Sequence, residues 1–199
     1  MSTESQSSEV NLLPLIIEPE QLEAHLDDPQ LLIIDVPVNG DSYRQGHVPG
    51  AIFLDFRYLM RGEGPVPSDV PSVEALSRLF SALGLTRDTH VVAYDDEGGG
   101  WAARLLWTLD LIGHTRYSYL NGGIHAWREA GLSESTEPTA PTPSDYHAEI
   151  LNPQALITCD EIKEKLDDKQ FAVWDARSKE EYDGVRGNNK YLGHIPGAV

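Results

Sequence analysis

A single cysteine, Cys159, stands in 199 residues. No internal disulfide can form, and no multi-cysteine zinc site can be built. The expected compartment is reducing and cytoplasmic. Basic residues are scarce as well, with 15 Lys and Arg against 32 Asp and Glu, a formal net charge of -17. That balance disfavours nucleic acid and anionic membrane surfaces as partners. An anionic substrate would need a site that is locally positive against the field of the chain. No apolar run approaches the ~18 residues of a membrane span. The start, MSTESQSSEV, has neither a basic n-region nor an apolar core, so it reads as no secretory signal. Residues 1–13 are expected to be a disordered tail.

What is present is a chain that repeats itself. QLEAHLDDPQLLIID (21–35) resembles EIKEKLDDKQFAVWD (161–175), and Asp35 aligns with Asp175 at an offset of 140. GHVPGA (46–51) returns as GHIPGA (193–198) at an offset of 147, so the second copy carries about seven extra residues around VRGNNKY. The first copy spans 14–132. The second covers 154–199 and stops soon after its GHIPGA, so it is expected to be incomplete. Between them, 133–153 begins with SESTEPTAPTPS, built only of Ser, Glu, Thr, Pro and Ala. Proline fixes φ and removes donors, so this stretch is expected to be an extended linker and not a packed element.

Within the first copy, strands and helices alternate. Residues 19–27 read as a helix opened by Pro19, 31–35 as a buried strand and 51–56 as a second strand. Residues 72–83 read as a helix with Ser72 as N-cap and a core face of Val73, Leu76, Phe80 and Leu83. Strands at 90–94 and 117–120 alternate with helices at 101–112 and 124–130. Short connections between such elements imply an α/β fold, a parallel sheet covered by helices on both faces. The second copy offers one strand and one helix, too little to bury a core of its own.

The chemistry-bearing stretch is VVAYDDEGGGWAARLLW (91–107), a strand, an acidic glycine turn and the start of a helix. Ligands of such sheets bind beyond the carboxyl ends of the strands. Gly98, Gly99 and Gly100 let successive N–H groups point inward, and the helix dipole adds positive potential. Such a cradle can hold an oxyanion or stabilise a cysteine thiolate. Here Asp95, Asp96 and Glu97 stand in its place, and the cradle is expected to be filled by its own carboxylates. The acidic spacing lacks the alternation of an EF-hand, so no metal is expected.

These residues, with YLNGGIHAW and DARSKEEY…GHIPGA, resemble a tandem-domain rhodanese, a thiosulfate sulfurtransferase of the bacterial Azotobacter-like type. The resemblance covers the chain from about residue 14 to 199. It implies a rhodanese-like domain with a central parallel sheet of about five strands, followed by the start of a second such domain. It implies a catalytic cysteine in the second domain, which takes sulfane sulfur from thiosulfate as a persulfide and passes it to cyanide or another thiophile. Asp95 occupies the cysteine position of the silent first domain. By the spacing of the first copy the nucleophile falls near position 242, so this chain has no catalytic residue and is expected to be inactive. The implied partners are a small anionic sulfur donor and a thiophilic acceptor; no cofactor is implied. A non-catalytic binding or regulatory module, and a 3-mercaptopyruvate sulfurtransferase, stand as alternatives.

Arg186 is the candidate substrate-binding residue of the second copy, and Arg177 reads as half of a structural salt bridge. Glu181 stands where mercaptopyruvate-type relatives place a substrate-binding arginine. His47 and His194 recur in the repeated motif and read as imidazoles bonded to backbone in a turn. Cys159 aligns with Pro19 at a helix start, far along the chain from the expected active turn, and reads as structural.

Overall fold

The computed structural model describes residues 12–63, 66–187 and 191–199. The first eleven residues of the expected tail lie outside them. Leu13 is already buried in a core cluster, so the packed chain includes it. The molecule divides into two compact units, the first running to Ala155 and the second covering Leu156–Val199.

The first unit is built on five parallel strands in the order β1-β5-β4-β2-β3. They are β1 (Ile16–Ile17), β2 (Leu31–Asp35), β3 (Ile52–Phe53), β4 (His90–Tyr94) and β5 (Tyr117–Leu120). β2 and β4 pair along their whole length, from Leu31 opposite His90 to Asp35 opposite Tyr94. Their near-continuous apolar sequence follows from burial on both faces. Two core clusters show the two faces. Ile34, Val91 and Ala93 meet α3 (Val73–Leu83) and α4 (Gly100–Leu111) on one side. Ile33, Val92, Tyr94 and Leu120 meet α1 (Pro19–Glu23) and α5 (Gly123–Glu129) on the other.

Local signals place most boundaries. The Ser72 hydroxyl accepts from Ala75 N at 3.2 Å and starts α3, and Gly84 ends it in the left-handed region at φ 84°. Two expectations shorten. The helix expected over 19–27 ends at Glu23, and the strand expected over 51–56 keeps only Ile52–Phe53 before a 3-10 turn at Phe56–Leu59. Asp55 explains the second, because its carboxylate caps that turn by accepting from Arg57 N. The sequence reading also lacked β1, only two residues long, and α2 (Gly40–Gln45), which Asn39 caps by accepting from Asp41 N and Ser42 N.

The segment after α5 corrects the expectation of an unpacked linker. It is extended and carries no helix or strand up to residue 152, but its backbone is bonded to the first unit throughout. His47 and Ser135 exchange two backbone bonds of 2.9 and 2.8 Å. Ser81 of α3 both donates to Tyr146 O and accepts from Tyr146 N, each at 3.0 Å, and Ser77 accepts from Ala148 N. Ala148 is buried, and the Trp107 indole donates to Ala155 O at 2.9 Å. Prolines forbid regular structure, yet side-chain hydroxyls one turn apart on α3 replace the ladder partners the strap lacks.

The second unit contains α6 (Cys159–Lys165) and α7 (Lys179–Tyr182). The strand expected at 171–175 is not formed as regular structure. Its place is taken by two bonds of parallel pairing: Val199 N donates to Val173 O, and Asp175 N donates to Val199 O. Of its described residues only Ala198 is buried, and Trp174 is 85% exposed.

One motif folds the same way in both units. In the first, the Tyr43 and His47 rings stack at 3.8 Å, His47 Nδ1 contacts Tyr43 O, and the Tyr43 hydroxyl donates to Ala51 O. In the second, Tyr182 and His194 stack at 3.8 Å, His194 Nδ1 contacts Tyr182 O, and the Tyr182 hydroxyl donates to Ala198 O. The repeated histidine thus shapes the backbone of GH(V/I)PGA. His47 also has Nε2 on Glu137 O, so both its ring nitrogens face carbonyls.

Asp35, at the carboxyl end of β2, is buried within the first unit. Burial raises its pKa from 3.8 to about 7; the Tyr94 hydroxyl opposes this by hydrogen bonding, Asp96 and Asp95 add to it, and Arg128 opposes it. The folded state therefore holds a proton that the unfolded chain has released. This contribution to stability is complete below the unfolded value and is lost as pH rises through about 7. Asp35→Asn should flatten the fall in urea midpoint between about pH 5 and about pH 8; an identical fall in both proteins would refute the assignment. For the strap, Ser81→Ala should cost about 1 kcal/mol and raise amide exchange at Tyr146, whose N–H donates to the hydroxyl. Unchanged protection there would show that the hydroxyl does not hold it.

Candidate functional site

The turn from β4 into α4 lies at the carboxyl end of the central strand pair. Gly98 and Gly99 adopt φ of 85° and 100°, a region that L side chains avoid. Their bend brings four backbone N–H groups onto one carboxylate. Asp95 Oδ1 accepts from Glu97 N at 3.0 Å and Gly99 N at 2.8 Å. Asp95 Oδ2 accepts from Trp101 N at 3.0 Å and Ala102 N at 2.9 Å. The side chain is 1% exposed. The cradle is thus filled from within, and by one residue of the three.

The other two acids go elsewhere. Asp96 turns outward and accepts from Val38 N at 2.8 Å, while its carbonyl contacts His125 Nε2 at 3.0 Å. Glu97 leaves only its backbone in the turn and is exposed. Beside the turn a cavity of about 140 Å³ is lined by Asp35, Ser42, Gln45, Asp96, His125 and Arg128, among others. Among the described residues no group of three or more His, Cys, Asp or Glu is placed to hold a metal.

Sequence reasoning missed Gly123. A Cβ there would come within 2.3 Å of Asp95 O, and its φ is 57°. The signal was available in YLNGG, where two glycines follow an asparagine at a strand end. Gly99 is fixed from the same side, because a Cβ there would lie 2.8 Å from the Tyr119 hydroxyl. The turn therefore seats against β5 and α5 at Gly99 and Gly123, where a side chain would collide. Trp101 covers it on the α4 side and meets Phe56 edge to face at 3.8 Å.

The candidates of the second unit are arranged separately. Asp175 and Arg177 form a bidentate pair that lowers the Asp175 pKa to about 2, and Arg177 also donates to Gly193 O at 2.9 Å. Arg186 contacts the Ser178 hydroxyl at 3.3 Å and is exposed. Cys159, also exposed, is the first residue of α6, behind the N-cap Thr158. The insertion residues 188–190 lie outside the described residues.

Chemically, the first-unit turn is a preorganised anion receptor whose anion is covalently attached. Four N–H groups and a helix start converge where a reactive thiolate or a bound oxyanion would be stabilised. The family profile of the Rhodanese-like domain matches residues 18–130. The chain is 42% identical to a thiosulfate sulfurtransferase of Azotobacter vinelandii over 187 residues, covering 94% of this chain and 68% of that protein. It is 40% identical to a thiosulfate sulfurtransferase of Pseudomonas aeruginosa over the same shares. The human 3-mercaptopyruvate sulfurtransferase is 32% identical, over 79% of this chain and 54% of that protein. Among solved structures, the 3-mercaptopyruvate sulfotransferase SseA of Escherichia coli superposes with a TM-score of 0.83 at 26% identity, over 94% of this chain and 74% of that one. With a five-stranded parallel sheet covered on both faces and these relatives, the chain belongs to the rhodanese family of sulfurtransferases.

Proposed function

We propose that this chain is the amino-terminal part of a thiosulfate sulfurtransferase, its first domain a silent structural partner and its second domain the bearer of the reactive cysteine. The observation that carries the reading is the Asp95 carboxylate held by four backbone N–H groups. That turn is the receptor a sulfur-carrying thiolate requires, with the nucleophile replaced. In the reaction, a cysteine thiolate attacks the outer sulfur of thiosulfate. The S–S bond breaks, sulfite leaves with its electron pair, and a persulfide remains. Cyanide or another thiophile then takes the terminal sulfur and returns the thiolate. Greater identity to thiosulfate sulfurtransferases, 42% and 40% against 32%, favours thiosulfate over 3-mercaptopyruvate as donor. The second reading, a non-catalytic binding module, draws on the same filled cradle. The two readings part at the full-length protein, where only the first expects turnover.

Two outcomes test the proposal. The 199-residue chain, given thiosulfate and cyanide, should yield no thiocyanate above a protein-free blank, and Cys159→Ser should change nothing; turnover lost in Cys159→Ser would overturn the account. Asp95→Cys, made in a Cys159→Ser background, should place a thiol in the cradle and lower its pKa by at least about one unit from the ordinary ~8.5. The pH dependence of alkylation reads this directly. A thiol at Asp95 that titrates like free cysteine would show that the turn does not stabilise a thiolate.

A further inference from the structure

His90 opens β4 at the amino-terminal end of the sheet, and it is fully buried, as is Ser118 on β5. The Ser118 hydroxyl lies 2.7 Å from His90 Nε2 and 2.5 Å from Pro14 O. A carbonyl only accepts, so the single hydroxyl proton goes to Pro14. Ser118 Oγ must then accept from His90, which fixes the neutral imidazole as the tautomer with its proton on Nε2. Nδ1 keeps a lone pair, and among the described residues it has no hydrogen-bond partner. One hydroxyl thus joins β4 to the residues just ahead of β1.

A second proton on this ring has to go to Nδ1. It would create a buried cation and a buried donor with nothing to accept it, and both are costly. The surrounding charges add to this. Arg116 and His114, ahead of β5, repel the proton; Asp28, ahead of β2, attracts it more weakly. Residues 12–17 are Leu, Pro and Ile and bring no charge. Burial first, then Arg116 and His114, lowers the His90 pKa from 6.5 to about 4. Folding therefore favours the neutral ring. That contribution to stability is present above the unfolded value and is lost as pH falls toward the folded one. Asp35 acts with the opposite sign, since its contribution is lost as pH rises.

Water reaching the ring would relieve a protonated His90, and the weakest cover over it is β1. β2 pairs with β4 over five residues and β5 pairs with β4 over three, while β1 is the edge of the sheet and pairs over two. Pro14, Leu15 and Ile16 are exposed, so this cover faces water directly. Tyr119 N donates to Leu15 O at 2.7 Å and Asn121 N to Ile17 O at 2.8 Å, and both bonds are lost if β1 leaves. Short edge elements of this kind are where native proteins open locally.

We propose that His90 is an acid-sensitive latch: a proton on its buried imidazole releases β1 and the residues ahead of it from β5. The device belongs to the first unit alone and does not depend on sulfur transfer. Amide exchange of the isotope-labelled 199-residue chain tests it at about pH 7.5 and about pH 5, each rate referred to that of the unfolded chain at the same pH. Protection at Tyr119 and Asn121 should fall at least about tenfold between the two. Val36, whose N–H donates to Tyr94 O at the other end of the sheet, should keep its protection. In His90→Gln, whose side-chain amide can still donate to Ser118 but takes no proton, the fall should vanish. The ring nitrogens of the unaltered protein give a check that needs no variant. Nε2 should carry the proton at the higher pH, and protonation of Nδ1 should track the loss of protection. A fall shared by Val36, a fall that persists in His90→Gln, no fall at all, or a proton on Nδ1 at the higher pH would overturn the proposal.

Discussion

The first unit turns on one carboxylate. Asp95 sits at the end of the central strand, where the chain must reverse from β4 into α4 within five residues. A turn this tight leaves a set of N–H groups without partners inside the fold. An orphaned buried donor costs about 1–3 kcal/mol, so four of them would be untenable in a domain of ordinary stability. Asp95 answers all four. A thiolate at the same place would answer them too, while adding reactivity. The turn therefore needs an anion. A carboxylate in this place satisfies the same donors without a nucleophilic sulfur.

The surrounding packing follows from this constraint. Gly98 and Gly99 are in the turn because only glycine bends that way, and Gly123 lies under Asp95 O because nothing larger fits. β2 and β4 run side by side to deliver Asp35 and Tyr94 to the same level. The Tyr94 hydroxyl then links Asp35 with Val48 N in the repeated motif. The polar groups at this end of the sheet are thus connected through the backbone of GHVPGA, which explains why that motif is so rigidly built around Tyr43 and His47.

Much of this was legible in the sequence, for identifiable reasons. Strands β2 and β4 announce themselves as short apolar runs, because a parallel sheet buried on both faces leaves no alternation to read. α3 has a serine cap and a glycine stop. The filled cradle could be read from three acids before three glycines, but their pattern alone did not say which acid fills it; only the family resemblance singled out Asp95. That choice depends on position: Asp95 directly follows the strand and reaches back under the helix start, whereas Asp96, one residue on, points away to Val38. The strap was misread because composition describes only its own chain. Its order comes from Ser77 and Ser81 on another element, which single-sequence patterns treat as surface residues. β1 was missed because two residues carry no period.

The two aspartates aligned by the repeat show how far local partners decide chemistry. Asp175 has an arginine two residues on, and the bidentate pair with Arg177 pulls its pKa down to about 2. Asp35 has Pro37 at that place. A guanidinium still reaches the glycine carbonyl of the motif in both units: Arg177 donates to Gly193 O at 2.9 Å, and Arg128 of α5 donates to Gly46 O at 3.2 Å. Arg128 directs its Nε to Glu134, however, and approaches from a different element. Its charge is only the last of the influences on Asp35, whose burial dominates and lifts the pKa to about 7. The two aspartates therefore differ in two respects, a paired guanidinium at Asp175 and burial at Asp35, and burial is the larger cause of the raised value.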